Sequence, residues 1–194
     1  MNKKDKILLL GSNGMIGSSI FKNLKLNAFE NILAPCRDEL NLTNQRDVYK
    51  YFKNNSPSYV INAAARVGGI MDNVNNPVEM LTINLSIQLN LAIAAYEYGI
   101  KKTLFLGSSC IYPKFSKQPI EETELLSGPL ESTNEFYAVS KIAGIKLCQA
   151  FRKQYNKNFI SAMPTNIFGP KDNFNLQNSH VIPGLIHKAH LSKI

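Results

Sequence analysis

Apolar residues along the chain fall into two kinds of run that alternate. Lys6 to Leu10, Asn31 to Ala34, Tyr59 to Asn62, Thr103 to Leu106 and Phe159 to Met163 are short and almost unbroken. That is the pattern of strands buried on both faces. Between them, apolar positions recur at helical spacing. One such stretch reaches about Leu26, a second is capped by Thr43 and runs to about Phe52, and a third starts at Pro77 and stops at Tyr98 before Gly99. A fourth runs from Asn134 to about Tyr155. Pro at a helix start and Gly just past its end are the expected punctuation. Alternation of this kind predicts an α/β fold, a Rossmann-like doubly wound parallel sheet with helices on both faces. Lys114 to Thr133, rich in Pro, Ser and Glu, reads as a surface loop. A further helix is expected after Pro183, and it meets Ile194 with no capping signal. Sheets of this type usually have a sixth strand, so residues 1–194 are expected to be the N-terminal portion of a longer protein.

Composition narrows the class. At 194 residues, 44% hydrophobic and 19% charged, the chain suits one globular domain with a buried core. No unbroken apolar run reaches 18 residues, so no membrane partner is expected. Met1-Asn2-Lys3-Lys4-Asp5-Lys6 leads into only four apolar residues and then a glycine turn, which lacks the form of a signal peptide. A cytoplasmic location is the expectation. The net charge of +8 is spread without a run of five or six basic residues. Solvated helix faces account for it better than a nucleic-acid surface. Cys36, Cys110 and Cys148 show neither C-x-x-C spacing nor an even count, so reduced thiols and no metal site are expected.

The chemistry begins at Gly11-Ser12-Asn13-Gly14-Met15-Ile16-Gly17, a G-x-x-G-x-x-G loop between strand and helix. Glycines permit the tight turn, the close approach of backbone to a pyrophosphate and the packing of helix on strand. The helix N-terminus then offers N–H groups and its dipole to the anion. Arg37, twenty residues past Gly17, closes the second strand. An acidic residue there would hold the ribose of NAD, whereas arginine suits the 2′-phosphate of NADP(H); Asp38 beside it argues the other way. Tyr137 and Lys141 stand at i and i+4, on one face of a helix. An ammonium there favours phenolate and brings the phenol's pKa down toward a useful range. Ser108, at the end of the fourth strand, lies where such sheets place their ligands. Taken alone, the Tyr–Lys pair also fits a solvated helix face, Cys110 a small buried residue, His180 a polar helix start and Lys188 an exposed helix lysine.

With these residues in hand, the sequence resembles the extended short-chain dehydrogenases/reductases, and within them the GDP-L-fucose synthase family. The resemblance rests on residues 62–70 (NAAARVGGI), 106–114 (LGSSCIYPK), 141–148 (KIAGIKLC), 163–166 (MPTN) and 178–183, Asn178-Ser179-His180-Val181-Ile182-Pro183. It implies an NADPH-dependent enzyme that epimerises C3 and C5 of a GDP-linked 4-keto-6-deoxy sugar and then reduces C4. It implies that Ser108, Tyr137 and Lys141 polarise and reduce the ketone. Cys110 would be the base and His180 the acid for the carbon-bound protons. It places coenzyme against Gly11, Ser12, Asn13, Gly14, Met15, Ile16, Gly17 and Arg37. It adds Leu106, Gly107, Ser108, Ser109, Lys141, Pro164, Thr165, Asn166, Ile167 and His180, and sets Lys188 against the nucleotide sugar. The sequence departs from the family at Ser12-Asn13, where a basic residue is usual, and at Arg66, where lysine is usual. The family's C-terminal substrate-covering portion is largely missing. The two long helices resemble those that pair in this superfamily's dimers, so a homodimer is expected. Two alternatives stay open: a reductase or epimerase of a related nucleotide sugar such as a GDP-6-deoxy-heptose, and an NADP-binding module without turnover.

Overall fold

The computed structural model describes residues 1–176 and 179–193. Its strands are β1 (Ile7–Leu10), β2 (Ile32–Leu33), β3 (Tyr59–Asn62), β4 (Lys102–Leu106) and β5 (Phe159–Ala162). All pair in parallel, in the order β2-β1-β3-β4-β5. The unbroken apolarity of β1 has a direct cause. Its alternate residues serve two cores, and all four are buried. Ile7 and Leu9 meet α1 (Met15–Leu26) with Ile20, Phe21 and Leu24. Leu8 and Leu10 join Val60, Phe105 and Phe159 on the other face. There they pack on α2 (Gln45–Asn55), α4 (Pro77–Glu97) and α5 (Glu135–Tyr155). Phe52 of α2 and Phe159 of β5 are fully buried in this larger core; truncating either to alanine would cost about 3–5 kcal/mol.

Several local expectations need correction. Asn44, not Thr43, caps α2: its Oδ1 accepts from the N–H of Arg46 at 3.0 Å and of Asp47 at 3.4 Å. Thr43 is occupied elsewhere, its Oγ1 donating to Asn41 Oδ1 at 2.8 Å. A short helix, α3 (Ile70–Asn75), stands between β3 and α4 where none was expected. The final helix, α6 (Val181–Leu191), starts before Pro183, which sits in its first turn. The stretch from Lys114 to Thr133 is only partly a surface loop. Ile120, Leu125 and Leu130 pack on Ile111, Tyr112, Ile142 and Ile145 in a second core cluster.

Helix α4 is, by length and composition, apolar enough to cross a membrane, yet half of that window is buried within the fold. Its buried polar residues are bonded to protein. Asn84 Nδ2 donates to Arg66 O at 2.9 Å, and Gln88 Nε2 donates to Ser140 O of α5 at 2.9 Å. Gly144 lets the two helices close on this contact. A Cβ built there would overlap Gln88 Oε1.

Candidate active site

The site lies beyond the C-terminal ends of β1, β3 and β4, where open α/β sheets bind ligands. Gly11 ends β1 with φ +77°, a left-handed conformation, and a Cβ there would come within 2.7 Å of the Ala63–Ala64 backbone. A Cβ on Gly17 would overlap the Gly11 carbonyl oxygen. These two glycines are explained by the fold itself. Gly14 is not: its φ is −77° and its Cβ would stand 3.5 Å from Gly11 O, ordinary contact. As the N-cap of α1 it makes no side-chain cap hydrogen bond, so the first N–H groups of the helix face outward for an anion. The space Gly14 leaves fits the close approach of a pyrophosphate.

Next to the loop opens a cavity of about 280 Å³. It is bounded by residues 10–13, by Cys36 and Arg37 after β2, by residues 40–43, by Ala64, Ala65 and Arg66 after β3, and by Ile83 and Ile87 of α4. Leu10, Leu40, Leu42, Ile83 and Ile87 give it apolar surface, Ser12, Asn13, Asn41 and Thr43 polar groups and Arg37 a cation, which suits an adenosine with a phosphorylated ribose. Arg37 is exposed there. Arg66 donates from Nη2 to Asp72 Oδ1 at 2.6 Å and from Nη1 to Val67 O at 2.9 Å. Sequence reasoning missed residues 40–43 and Ala64–Ala65 as walls. The NAAA run after β3, at the point where strand order reverses, was the available signal.

The residues expected to do chemistry converge from two elements. Ser109–Ile111 form one turn of 3-10 helix after β4, seated by Ile111 and Tyr112 on Ile142 and Ile145 of α5. This docking brings Ser108 and Cys110 to Tyr137 and Lys141. Cys110 Sγ donates to Ser108 Oγ at 3.3 Å. Lys141 is buried, donates from Nζ to Leu106 O at 3.0 Å, and lies 5.5 Å from the centre of the Tyr137 ring. Ser109 Oγ donates to Asn166 Oδ1 at 3.2 Å, and Gly107 N–H donates to Ala162 O at 2.8 Å. These bonds hold the segment after β5, with Pro164, Thr165, Asn166 and Ile167, beside Leu106 and Gly107. Gly169 then approaches Met15 at the start of α1.

The electrostatics reverse one expectation. The phenol of Tyr137 is not brought down by the ammonium. Burial drives it well above its ordinary value, the Cys110 thiol adds to the rise, and the Ser108 hydroxyl opposes it. Burial also pushes Lys141 down to about 8, with Cys110 acting the other way. Cys110 itself is raised by burial, against the Ser108 hydrogen bond and the charge of Lys141. The ammonium therefore serves the thiol.

His180 and Lys188 belong to another element, α6. His180 is the exposed N-cap of α6, and among the described residues no hydrogen bond joins its ring to Ser108, Cys110, Tyr137 or Lys141. Lys188 is exposed on α6. His187 fixes that helix instead, its Nδ1 lying 2.7 Å from Phe174 O. Asn178 lies outside the described residues. Cys36, Cys110 and Cys148 are free thiols, and no cluster of metal ligands occurs among the described residues.

Residues 7–193 match the model of the NAD dependent epimerase/dehydratase family. The chain belongs to that family. It is 53% identical over 189 residues to a GDP-L-fucose synthase of Sinorhizobium fredii, covering 97% of this chain and 60% of that protein. It is 51% identical over 193 residues to GDP-L-fucose synthase 1 of Arabidopsis thaliana, covering 100% of this chain and 60% of the relative. The chain thus spans about 60% of the length of these curated relatives. Among solved structures, the GDP-mannoheptose C4 reductase MlghC of Campylobacter jejuni, with NADP bound, superposes with a TM-score of 0.92 at 36% identity. That match covers 100% of this chain and 57% of the other. These similarities make the fold that of an extended short-chain dehydrogenase/reductase.

Proposed function

We propose that the chain is the coenzyme-binding, catalytic portion of an NADPH-dependent cytoplasmic enzyme acting on a GDP-linked 4-keto-6-deoxy sugar. It epimerises C3 and C5 and reduces C4, giving a GDP-6-deoxy sugar such as GDP-L-fucose. One observation carries the reading: Cys110 Sγ lies 3.3 Å from Ser108 Oγ. A ketone reductase needs a serine and a tyrosine to hold the carbonyl, but it has no use for a thiol on the same hydroxyl. Removal of acidic protons beside a ketone does need such a base.

Gly11, Ser12, Asn13, Gly14, Met15, Ile16 and Gly17 would hold the pyrophosphate, and Arg37 the 2′-phosphate. Leu106, Gly107, Ser109 and residues 164–167 would flank the nicotinamide half. NADPH supplies hydride to C4 when bound. Ser108 and Tyr137 orient the C4 oxygen, Tyr137 delivers its proton, and Lys141 holds positive charge in the same cluster. Cys110 withdraws the protons at C3 and C5. In this reading His180 returns a proton to the opposite face of the sugar and Lys188 meets the nucleotide.

Cys110→Ser in deuterium oxide, with GDP-4-keto-6-deoxymannose as substrate, is the test. Deuterium incorporation at C3 and C5 should disappear while ketone reduction survives. Incorporation at the wild-type rate would refute the assignment. The likeness to a heptose C4 reductase favours a second reading, reduction alone with epimerisation carried out elsewhere. That reading predicts no incorporation in the wild type either. The assembly is a homodimer through α4 and α5, where Leu89 of α4 and Val139 of α5 are exposed; light scattering should give twice the chain mass.

A further inference from the structure

Basic residues are scattered along the sequence, but the fold sorts them. All five strands run parallel, so the segments that lead into them reach one edge of the sheet, opposite the coenzyme cavity. The crossover helices α1, α2, α4 and α5 run back to that edge. Lys3 Nζ donates to Asn27 O behind α1 at 2.5 Å, and Lys6 Nζ donates to Asn55 O of α2 at 3.0 Å. Lys157 Nζ stands 5.3 Å over the Tyr96 ring at the end of α4. Across the sheet Ile7, Tyr59 and Lys102 are partners, and Thr103 pairs with Phe159. Lys6, Lys101 and Lys157 therefore fall in one row, on strands spaced about 4.8 Å apart.

This edge consists of residues 3–6, 23–31, 52–58, 94–102 and 152–158. It holds ten basic residues against three acidic ones, Asp5, Glu30 and Glu97, while the rest of the chain holds twelve against eleven. Seven of the eight net positive charges thus sit on one end of the molecule. Helix dipoles do not account for them. The four helix C-termini carry about half a negative charge each, which leaves roughly five positive charges in surplus.

We propose that this end is an electrostatic docking face for an anionic lipid surface. Nine of its ten cations are lysines. Their flexible stems hold ammonium groups in solvent, which suits the diffuse potential of a leaflet better than bidentate phosphate recognition. The helices turn carbonyl ends toward this face, not the N–H ends that grip a phosphate closely. The end of a five-stranded sheet with helices on both sides is broad, so a plane meets all of it, whereas a nucleic-acid duplex meets a strip. The expectation of no membrane partner rests on the lack of a spanning run, and adsorption on a leaflet needs none. With this face down, the coenzyme cavity at the other end of the strands opens to solution.

Sedimentation of the chain with phospholipid vesicles is the test. Vesicles of phosphatidylcholine with about 30% phosphatidylserine should carry it down at about 0.05 M salt and release it at about 0.5 M. Pure phosphatidylcholine should not bind it. A lysine near such a surface is worth about fivefold in affinity. Lys4→Glu, Lys102→Glu and Lys153→Glu together, all at exposed positions, should therefore weaken binding at least about a hundredfold. Arg46→Glu, Lys117→Glu and Lys171→Glu together make the same change in net charge at the opposite end, in the first turn of α2 and the loops after β4 and β5. That variant should keep most of the binding. Equal losses in the two triple variants would mean that net charge alone acts, and would overturn the proposal. So would no binding of the wild type, binding to neutral vesicles, or binding that salt leaves untouched. A DNA duplex added at equal charge should leave the protein on the vesicles; if it strips the protein off, the face belongs to nucleic acid and the proposal fails. Matching circular dichroism spectra guard against misfolded variants. The outcome is independent of the deuterium test of Cys110.

Discussion

Replacing Lys141 by methionine should make the protein more stable at neutral pH. The residue is 6% exposed, and burial pushes its ammonium from 10.5 down to about 8. At about 1.36 kcal/mol per pH unit, that displacement corresponds to about 3 kcal/mol of penalty for carrying the charge inside the fold. Methionine is one heavy atom shorter, fills nearly the same volume and needs no solvation. It forfeits the hydrogen bond from Nζ to Leu106 O, a loss of about 1 kcal/mol. A gain of about 2 kcal/mol remains.

The pH dependence identifies the cause. Below about 8 both folded and unfolded chains hold the proton, and the full penalty applies to the wild type. Between about 8 and 10.5 the unfolded chain still holds a proton that the folded chain has released. Wild-type stability then rises relative to the variant, and the gap closes. The other titrating groups are common to both proteins, so the difference between them isolates Lys141. Urea denaturation followed by circular dichroism at pH 7 and pH 9.5 measures it. A Lys141→Met variant less stable than wild type at pH 7, or a gap of equal size at both pH values, would refute the reasoning. Catalytic sites often hold such strain, and relieving it trades function for stability.

Two further outcomes follow from the geometry. Arg37 is the exposed cation of the coenzyme cavity, so calorimetry should show NADPH binding at least about tenfold tighter than NADH, and Arg37→Ala should equalise them. A preference retained in the variant would assign the 2′-phosphate to another residue. Gly144→Ala gains about 1 kcal/mol of helix propensity, but the new methyl overlaps Gln88 Oε1. Gln88 must then withdraw from Ser140 O and Asn84 O, bonded at 2.9 and 3.0 Å, which costs about 2–3 kcal/mol. The urea midpoint should fall; a rise would mean that the helix contact is looser than the structure has it.

What sequence made visible and what it hid divide along physical lines. Strand β3 was placed to the residue, and β1, α1 and α5 to within one residue or so of their ends, because burial on two faces or one leaves a periodic trace. Helix α3 leaves none. Its six residues are held by side chains, Asn73 Nδ2 donating to Gly68 O at 2.8 Å and Arg66 pairing with Asp72. The choice between Thr43 and Asn44 as cap depended on Asn41, which claims the threonine first. In the site, spacing alone placed Tyr137 and Lys141 on one face, and that was correct. Spacing says nothing of desolvation, and desolvation reversed the direction in which the phenol is shifted. His180 and Lys188 came from resemblance, and both are exposed at α6.

Helix α4 shows how one element can look like a membrane helix and still be built for a binding site. Loops beyond strand ends have irregular backbone that no ladder can satisfy, and each buried group there needs its own partner. α4 supplies those partners as side-chain amides. Asn90 Nδ2 donates to Leu42 O at 3.0 Å, Asn84 both accepts from Arg66 N–H and donates to Arg66 O, and Gln88 reaches Ser140 O. Leu42 and Arg66 line the coenzyme cavity, and Ser140 sits between Tyr137 and Lys141. The Ser140 hydroxyl in turn donates to Tyr137 O at 2.6 Å. Spaced along one helix, the three amides fix both halves of the site relative to the sheet. That accounts for why the helix lacks a single apolar stripe: one side meets the sheet, another meets α5, and the polar positions between them hold the loops. The cluster is therefore held in register by hydrogen bonds from a rigid element, which tolerates a buried ammonium that apolar packing alone would expel.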